Sequence, residues 1–204
     1  MGLRERKKRE TRAALSWAAI RLIVERGADN VLVEDIAAAA GVSARTFNNY
    51  FSSKGEAVAA RHLDRWLQMA QDLRARPAGE PLWTALTHAT LAQLTPGPEV
   101  TAHPRPDREQ WVTGVKAMMQ APSLQAEMLR AGARAEAEIA VAVAARTGTD
   151  ADRDIYPRLV AATLIAAITV CQTQFIRTDA TTDLEDLLTD ALTQLAAGLP
   201  EPGA

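Results

Sequence analysis

Polar side chains that can bind nucleic acid cluster in one short segment of the sequence. Arg45 carries a planar guanidinium that can donate two hydrogen bonds to guanine, and Asn48 and Asn49 carry the amide that pairs in the same bidentate way with adenine. Tyr50 and Lys54 are better suited to the phosphate backbone. The full set of candidate contacts is Ser43, Ala44, Arg45, Thr46, Asn48, Asn49, Tyr50 and Lys54. This chemistry is recognition by hydrogen bonding and charge.

The residues around this cluster predict a helix-turn-helix over residues 33–51. Gly41 permits the positive φ of a tight turn, and Ser43 is a natural N-cap for the second helix. Ala37 is small where the two helices would cross, and Phe47 is one of the apolar residues between them, with Ile36, Ala40 and Val42. An ordinary helical hairpin would use similar residues. The outward polar face and the basic N-terminus favour the DNA-binding interpretation over that alternative.

The charge is divided unevenly along the 204 residues. Residues 1–76 hold 14 Lys and Arg against 9 Asp and Glu, whereas the rest hold 9 against 16, which gives the net charge of −2. Residues 1–12 alone carry six basic and two acidic side chains. A basic head on an acidic body fits contact with a polyanion, although a solvated charged tail would have the same composition.

Alanine is abundant and aromatic residues make up only 4% of the chain, so an all-α fold is expected. Pro and Gly punctuation and apolar periodicity predict about nine helices. They are expected at residues 4–26, 34–40, 43–51, 54–75, 81–94, 108–120, 123–146, 155–177 and 183–197. The stretch 95–107 has four prolines and is predicted to be a loop. Gly27 is expected to end the first helix in the left-handed conformation.

The last two predicted helices are strongly apolar. Residues 159–171 contain only Leu, Val, Ala, Ile, Thr and Cys, and this run is too short for the roughly 20 residues that span a bilayer. A helix that is apolar all round is expected to be buried all round. Leu188 and Leu192 belong to a leucine stripe in the final helix. Both helices are therefore predicted to form a four-helix interface between two copies, and a monomeric bundle is the alternative.

Catalytic and metal-binding patterns are not recognisable in the sequence. The three histidines, His62, His88 and His103, are widely separated, and no nucleophile elbow or Gly-rich phosphate loop is present. The single cysteine, Cys171, excludes an intramolecular disulfide and suits a reducing compartment. We therefore expect neither an enzyme nor a cofactor or metal site, and we expect a cytoplasmic protein.

The N-terminal part of the chain resembles the tetracycline-repressor (TetR) family of transcriptional regulators. The resemblance rests on IRLIVERG at 20–27 and VEDIAAAAGVS at 33–43, and it is close from the N-terminus to about position 55 or 60. It also includes Arg45, Thr46, Phe47, Tyr50, Phe51, Ser53 and Lys54. Leu32 departs from the pattern, because the family often has Thr or Ser there, and Asn48 and Asn49 replace an aromatic and a basic residue.

The resemblance implies a homodimeric repressor that binds a near-palindromic operator and is released by a small-molecule inducer. It divides the chain into a DNA-binding domain at 1–53 and a helical effector-binding and dimerisation domain at 54–204. The candidate pocket residues are Trp66, Met69, Trp83, Leu86, Trp111, Met118, Met128, Gln172 and Phe175. They predict an apolar or amphipathic ligand. The alternatives are a helical protein-interaction module and a DNA-binding protein without an inducer.

Overall fold

The structure is a computed structural model that describes residues 2–103, 107–178 and 181–201. Within those residues it contains ten α-helices and no strand, so the all-α prediction is confirmed. The helices are α1 (Leu3–Arg26), α2 (Val33–Ala39), α3 (Ala44–Asn48), α4 (Lys54–Ala75), α5 (Leu82–Ala92), α6 (Pro98–Thr101), α7 (Arg108–Gln120), α8 (Pro122–Thr147), α9 (Ile155–Arg177) and α10 (Leu184–Ala196).

Helix α6 corrects the prediction that residues 95–107 form only a loop. Pro98 occupies its first turn, where a missing backbone N–H costs no intrahelical hydrogen bond. Proline density at 95–107 therefore marked a helix start as well as a loop. Two of the four prolines, at 104 and 106, lie outside the described residues.

Short-range signals set several other helix ends. The Asp107 carboxylate accepts from the Gln110 N–H at 2.9 Å and caps α7, and Asp183 caps α10 in a similar way. Gly27 has a positive φ of 81°, as expected, but its ψ of 149° is extended and not left-handed helical. The chain therefore leaves α1 in an extended direction that glycine tolerates best.

The chain packs as two compact units, each with its own core. The first comprises Met1–Asp64 and Pro96–Ala131, and its fully buried side chains include Leu15, Ile36, Phe47 and Phe51. Residues 96–131 thus pack with the N-terminal helices, although sequence reasoning assigned them to a second functional domain. The functional division at 53/54 stays a prediction.

The second unit comprises Arg65–Thr95 and Gly132–Ala204. Its core is formed by α9, α10, α5 and parts of α4 and α8, with Met69, Leu86, Leu164 and Leu192 fully buried. Most of these positions recur every three or four residues on their helices, which is the spacing that buries one helical face.

Helix α9 is covered by its own chain on one side only, and burial of its other side against a second copy stays a prediction. One face, with Val160, Leu164 and Ile168, is buried in the second core. Another face is exposed, and Leu159 and Val170 are 59% and 67% exposed. The helix has 23 residues, so the length argument, which considered only the apolar run inside it, does not hold for the whole helix. Among the described helices it alone is long and apolar enough, by length and composition, to cross a membrane.

Candidate nucleic-acid interface

Helices α2 and α3 are held together by a small apolar centre. Ile36 and Ala37 of α2 and Phe47 of α3 are fully buried in the same core. Gly41 has a φ of 68°, and the Val42 N–H donates to the Ala37 carbonyl at 2.9 Å. This turn needs the left-handed backbone that only glycine adopts readily, as the sequence predicted.

The N-terminus of α3 is capped as the sequence predicts. The Ser43 hydroxyl accepts from the Thr46 N–H at 3.1 Å and lies 2.9 Å from the Thr46 hydroxyl. The cap satisfies one backbone donor that the first turn would otherwise leave unpaired. It also occupies the two hydroxyls with each other, so they are the least available polar groups on α3.

The outward face of α3 carries the predicted polar side chains. Arg45, Asn48 and Asn49 are exposed, and within the described residues their side chains make no hydrogen bond or ion pair. Ala44 and Thr46 are half-buried beside them. The structure therefore brings three hydrogen-bonding side chains without protein partners onto one short surface, anchored from behind by Phe47. Such a surface can bind base edges and phosphates.

Lys54 has a different environment from the one expected of a phosphate contact. Its ammonium group donates to the Ala28 carbonyl and, at 3.0 Å, to the Val31 carbonyl. The side chain therefore closes the turn between α1 and α2, and two of its three donors are occupied. Sequence proximity to Tyr50 suggested the phosphate role, whereas the contacts that decide its orientation come from much earlier in the chain.

The beginning of α2 differs from a full capping box. The Asp35 carboxylate accepts from the Leu32 N–H at 2.9 Å, but leucine offers no side-chain oxygen in return. The Leu32 side chain is 62% exposed. Leu32 therefore supplies neither a cap nor a phosphate hydrogen bond, as its residue type predicted.

Tyr50 and Phe51 connect α3 to α4. Tyr50 is half-buried with its ring 6.4 Å from that of the buried Phe51. Beyond them, Glu56 accepts from the Ser52 N–H and hydroxyl, both at 2.7 Å. Burial opposes ionisation of Glu56, but these hydrogen bonds outweigh it and hold the pKa of the carboxyl below its ordinary value. The ionised carboxylate thus fixes the turn that follows α3.

Arg12 is a positioning residue that sequence reasoning missed. Its Nε lies 3.0 Å from the Asp64 carboxylate, and its guanidinium lies 4.8 Å from the centre of the Phe51 ring. These contacts join α1 and α4 to the segment that follows α3. In the sequence Arg12 looks like one more member of a basic run, and no local pattern separates it from its neighbours.

Helix α7 supports α1 through an unusually close contact. A Cβ on Gly114 would overlap the Val24 carbonyl oxygen, so only glycine fits at this crossing. Near it, the rings of Trp17 and Trp111 are 5.5 Å apart, and the Arg61 guanidinium lies over Trp17. A glycine inside a helix gives no sequence signal for such a crossing. Helix α1, which packs against α2, therefore rests on residues far beyond position 53.

The predicted pocket residues divide between the two units. Trp66, Met69, Trp83, Leu86, Gln172 and Phe175 belong to the second unit, and Trp111, Met118 and Met128 belong to the first. Met69 and Leu86 are fully buried in the second core, and Met118 is buried in the first, so plain packing accounts for these three. Trp66, Trp83, Gln172 and Phe175 are half-buried in the second unit. Their role in binding a ligand stays a prediction.

A polar cluster joins α4 to α5 in the second unit. Glu80 accepts from Arg76 at 2.7 Å and 2.5 Å, and its carboxylate is 2.8 Å from His88 Nδ1. Arg146 donates to the backbone carbonyls of Arg76, Pro77 and Glu80. Hydrogen bonding from Arg76 is the main cause that lowers the pKa of Glu80 to about 2. This cluster stabilises the turn between α4 and α5. Its contacts with Arg76 and Glu80 explain the position of His88 without a bound ligand.

Comparison with known proteins matches both the N-terminal and the C-terminal part of the chain to families of known proteins. Residues 17–60 match the family described as bacterial regulatory proteins of the tetR family, and residues 80–200 match the MftR C-terminal domain. The HTH-type transcriptional regulator TcmR of Streptomyces glaucescens is 35% identical over 195 residues, which cover 91% of this chain and 81% of that protein.

Solved structures with the same fold are more distant in sequence. The fatty acid degradation regulator FadR from Bacillus halodurans has a TM-score of 0.58 at 18% identity, over 93% of this chain and 96% of that one. A protein described as a TetR-family transcriptional regulator from Rhodococcus sp. has a TM-score of 0.57 at 22% identity, over 94% and 99% of the two chains. Proteins of this family are regulators of transcription and not enzymes. With both family matches and the curated relative in agreement, the chain belongs to the TetR family of DNA-binding transcriptional regulators.

Proposed function

We propose that the protein is a homodimeric repressor that binds a near-palindromic operator through α3 and is released by a small apolar or amphipathic ligand. The observation that supports it best is the exposed face of α3. Arg45, Asn48 and Asn49 lack partners in the described residues, while Phe47 beneath them is fully buried. An anchored helix whose exposed donors and acceptors have no protein partner is suited to reading base edges in the major groove.

The side-chain types indicate what the helix would read. Arg45 is the candidate guanine contact, and Asn48 and Asn49 are candidate adenine contacts, since these pairs match bidentately. Ser43, Ala44, Thr46 and Tyr50 are proposed to face the backbone or the base edges beside them. Lys54 is the weakest candidate, because its ammonium already donates to two carbonyls.

Dimerisation is proposed through α9 and α10, with α9 supplying the apolar surface. Its exposed residues Ile155, Leu159, Ala162, Ala166 and Val170 recur at helical spacing on one face. Helix α10 turns Leu188 and Leu192 into the core, and most of its exposed residues are polar. A second copy would cover the α9 face and place two α3 helices on successive half-sites, about 34–36 Å apart.

The regulatory half is proposed to bind its ligand in the second unit. Trp66, Trp83, Gln172 and Phe175 are half-buried and supply apolar area with a few polar atoms. Likeness to a regulator of fatty acid degradation at 18% identity concerns the fold alone, so it does not narrow the ligand further. The proposal includes a cytoplasmic location, a DNA-binding domain at 1–53 and an effector domain at 54–204.

Selection of tightly bound duplexes from a random pool by the purified chain tests the proposal. We expect a short inverted repeat, and we expect the protein to be a dimer in solution. An apolar ligand should then release the selected duplex. A stable monomer that enriches no motif would instead favour a helical interaction module.

A nucleoid-like binder without an inducer is the second alternative. Such a protein would dimerise and bind duplexes, but it would show little preference among them at physiological salt. A dimer that binds every duplex with similar affinity would therefore contradict the repressor proposal.

A further inference from the structure

The first two turns of α1 form a basic arm that the fold itself does not use. All residues from 2 to 10 are exposed, and the arm carries Arg4, Arg6, Lys7, Lys8 and Arg9 against two acidic residues. Within the described residues only Arg6 has an acidic partner, Glu10 at 3.6 Å. The core begins at Leu15, so these turns contribute little to packing.

The arm leads into the part of α1 that contacts the segment just after α3. Arg12 lies over Phe51, just after α3, and it is held there by Asp64. Arg4 and Lys8 precede Arg12 by eight and four residues, so all three share one face of α1. With a rise of about 1.5 Å per residue, Lys8 and Arg4 lie roughly 6 Å and 12 Å along the axis from Arg12. Their charges therefore continue along one side of α1 from the residue that contacts Phe51, just after α3.

We propose that Arg4 and Lys8 bind the phosphates that flank each operator half-site, as a sequence-independent extension of the α3 contact. This inference rests on the proposed function, because it needs a duplex seated on α3. Duplex DNA is the occupant that fits the arm, since its phosphates complement the positive charge and Arg12 links the same helix to the segment just after α3. Arg12 itself is excluded from this role by Asp64 and Phe51.

The test compares salt dependence in matched variants of the full chain. The variant R4A/K8A removes two charges from the shared face, and alanine preserves the helix. The control R134A/R153A removes two charges from exposed residues of the second unit. Affinity is measured against salt for the duplex that the wild type selects and for an unrelated duplex.

The salt slope is the slope of the logarithm of the affinity against the logarithm of the salt concentration. Two lost phosphate contacts should reduce its magnitude by about 1.8 for each bound chain. Per chain, the wild type should then lose about 12-fold more affinity than R4A/K8A over a roughly fourfold rise in salt. The loss should be equal on both duplexes, and the control should keep the wild-type slope. A slope unchanged in R4A/K8A overturns the inference, and so does a change in the selected motif, which would indicate base reading.

Two further outcomes separate this inference from the proposed function. If the wild type selects no motif but R4A/K8A still lowers the slope on an unrelated duplex, the repressor proposal fails and the arm remains a phosphate-binding element. Vesicles containing phosphatidylserine test the other polyanion. Binding to them that depends on Arg4 and Lys8, with no change in the slope on DNA, would overturn the assignment to DNA.

Discussion

Helices α3 and α9 each bury one face and expose another, but the exposed faces differ in chemistry. In α3, Phe47 is buried and the outward residues are Arg45, Asn48 and Asn49. In α9, Leu164 is buried and Leu159 and Val170 are among the outward residues. The α3 face lacks hydrogen-bond partners within the described chain, and the α9 face lacks apolar cover.

The difference indicates what each helix requires from outside the chain. Exposed polar groups are satisfied by water and need no partner for stability, so their positioning on an anchored helix favours recognition. A contiguous exposed apolar face costs free energy in water, so it favours a permanent partner. One chain thus carries a surface suited to reversible binding and another suited to lasting association.

The largest expected effect comes from making the α9 face polar. The variant L159E/V170E should be monomeric, because two charges would be buried at the proposed interface. Two DNA-binding domains joined in one dimer bind far more tightly than a single domain, so operator affinity should fall by about 100-fold or more. Analytical ultracentrifugation and titration of the selected duplex measure both effects.

Leu129 provides the control for that variant. It lies on α8 and is 75% exposed, so L129E adds a charge to an apolar surface outside the proposed interface. L129E should remain dimeric with normal affinity. If L159E/V170E also remains dimeric, the exposed face of α9 is not the dimer interface.

The next largest effect is expected from G114A. A methyl group there would overlap the Val24 carbonyl, so α1 and α7 must move apart, at a cost of about 1–3 kcal/mol. Operator binding should weaken while dimerisation persists, which separates the support of α3 from the α9 face. Gly132, on α8, has open space at its Cβ, so G132A should be neutral or slightly stabilising. Equal urea midpoints for the two variants would show that the helices can accommodate the methyl group.

A smaller and more selective effect is expected from R45A. Loss of a bidentate base contact should weaken binding to the selected operator by about 1–3 kcal/mol, while affinity for an unrelated duplex stays nearly unchanged. R26A removes an exposed charge from α1 and should affect neither binding much. An equal loss on both duplexes would assign Arg45 to the phosphate backbone.

The smallest effect is expected from E80Q, which alters neither exposed face. The lowered pKa of Glu80 means that folding favours its ionised form. Its stabilising contribution is therefore present above the ordinary value of 4.5 and is lost as the pH falls towards about 2. Urea midpoints of the wild type and E80Q should differ slightly at neutral pH and converge over that range. A constant difference would mean that the Arg76 contact does not determine the shift.

Signals that act over a few residues made much of the fold predictable. The bounds of α4, α7 and α9 agree with the sequence patterns, and the Gly41 turn and the Ser43 cap are confirmed in detail. The polar face of α3 was found for the same reason. Once Phe47 is assigned to the core, helical geometry determines which neighbours point outward.

Contacts between distant residues account for the errors. Lys54 is directed to carbonyls by the turn at Ala28, and Arg12 is held by Asp64, which lies far along the chain. For α9, the sequence could not tell which side the same chain covers and which side stays exposed for a partner. Gly114 was overlooked because its significance depends on how closely α1 passes.

The first unit also has a consequence for the order of events during synthesis. Its core contains Met118 and Leu124 together with Leu15 and Phe47, and the segment Arg65–Thr95 of the second unit intervenes between its two parts. A nascent chain that has emerged only as far as Asp64 contains α3 but lacks α7, which packs against α1. Closing that long loop makes the contact slow to form relative to local helices. The surface of α3 is encoded early, whereas α1 reaches its native support only after more than half of the chain has been translated.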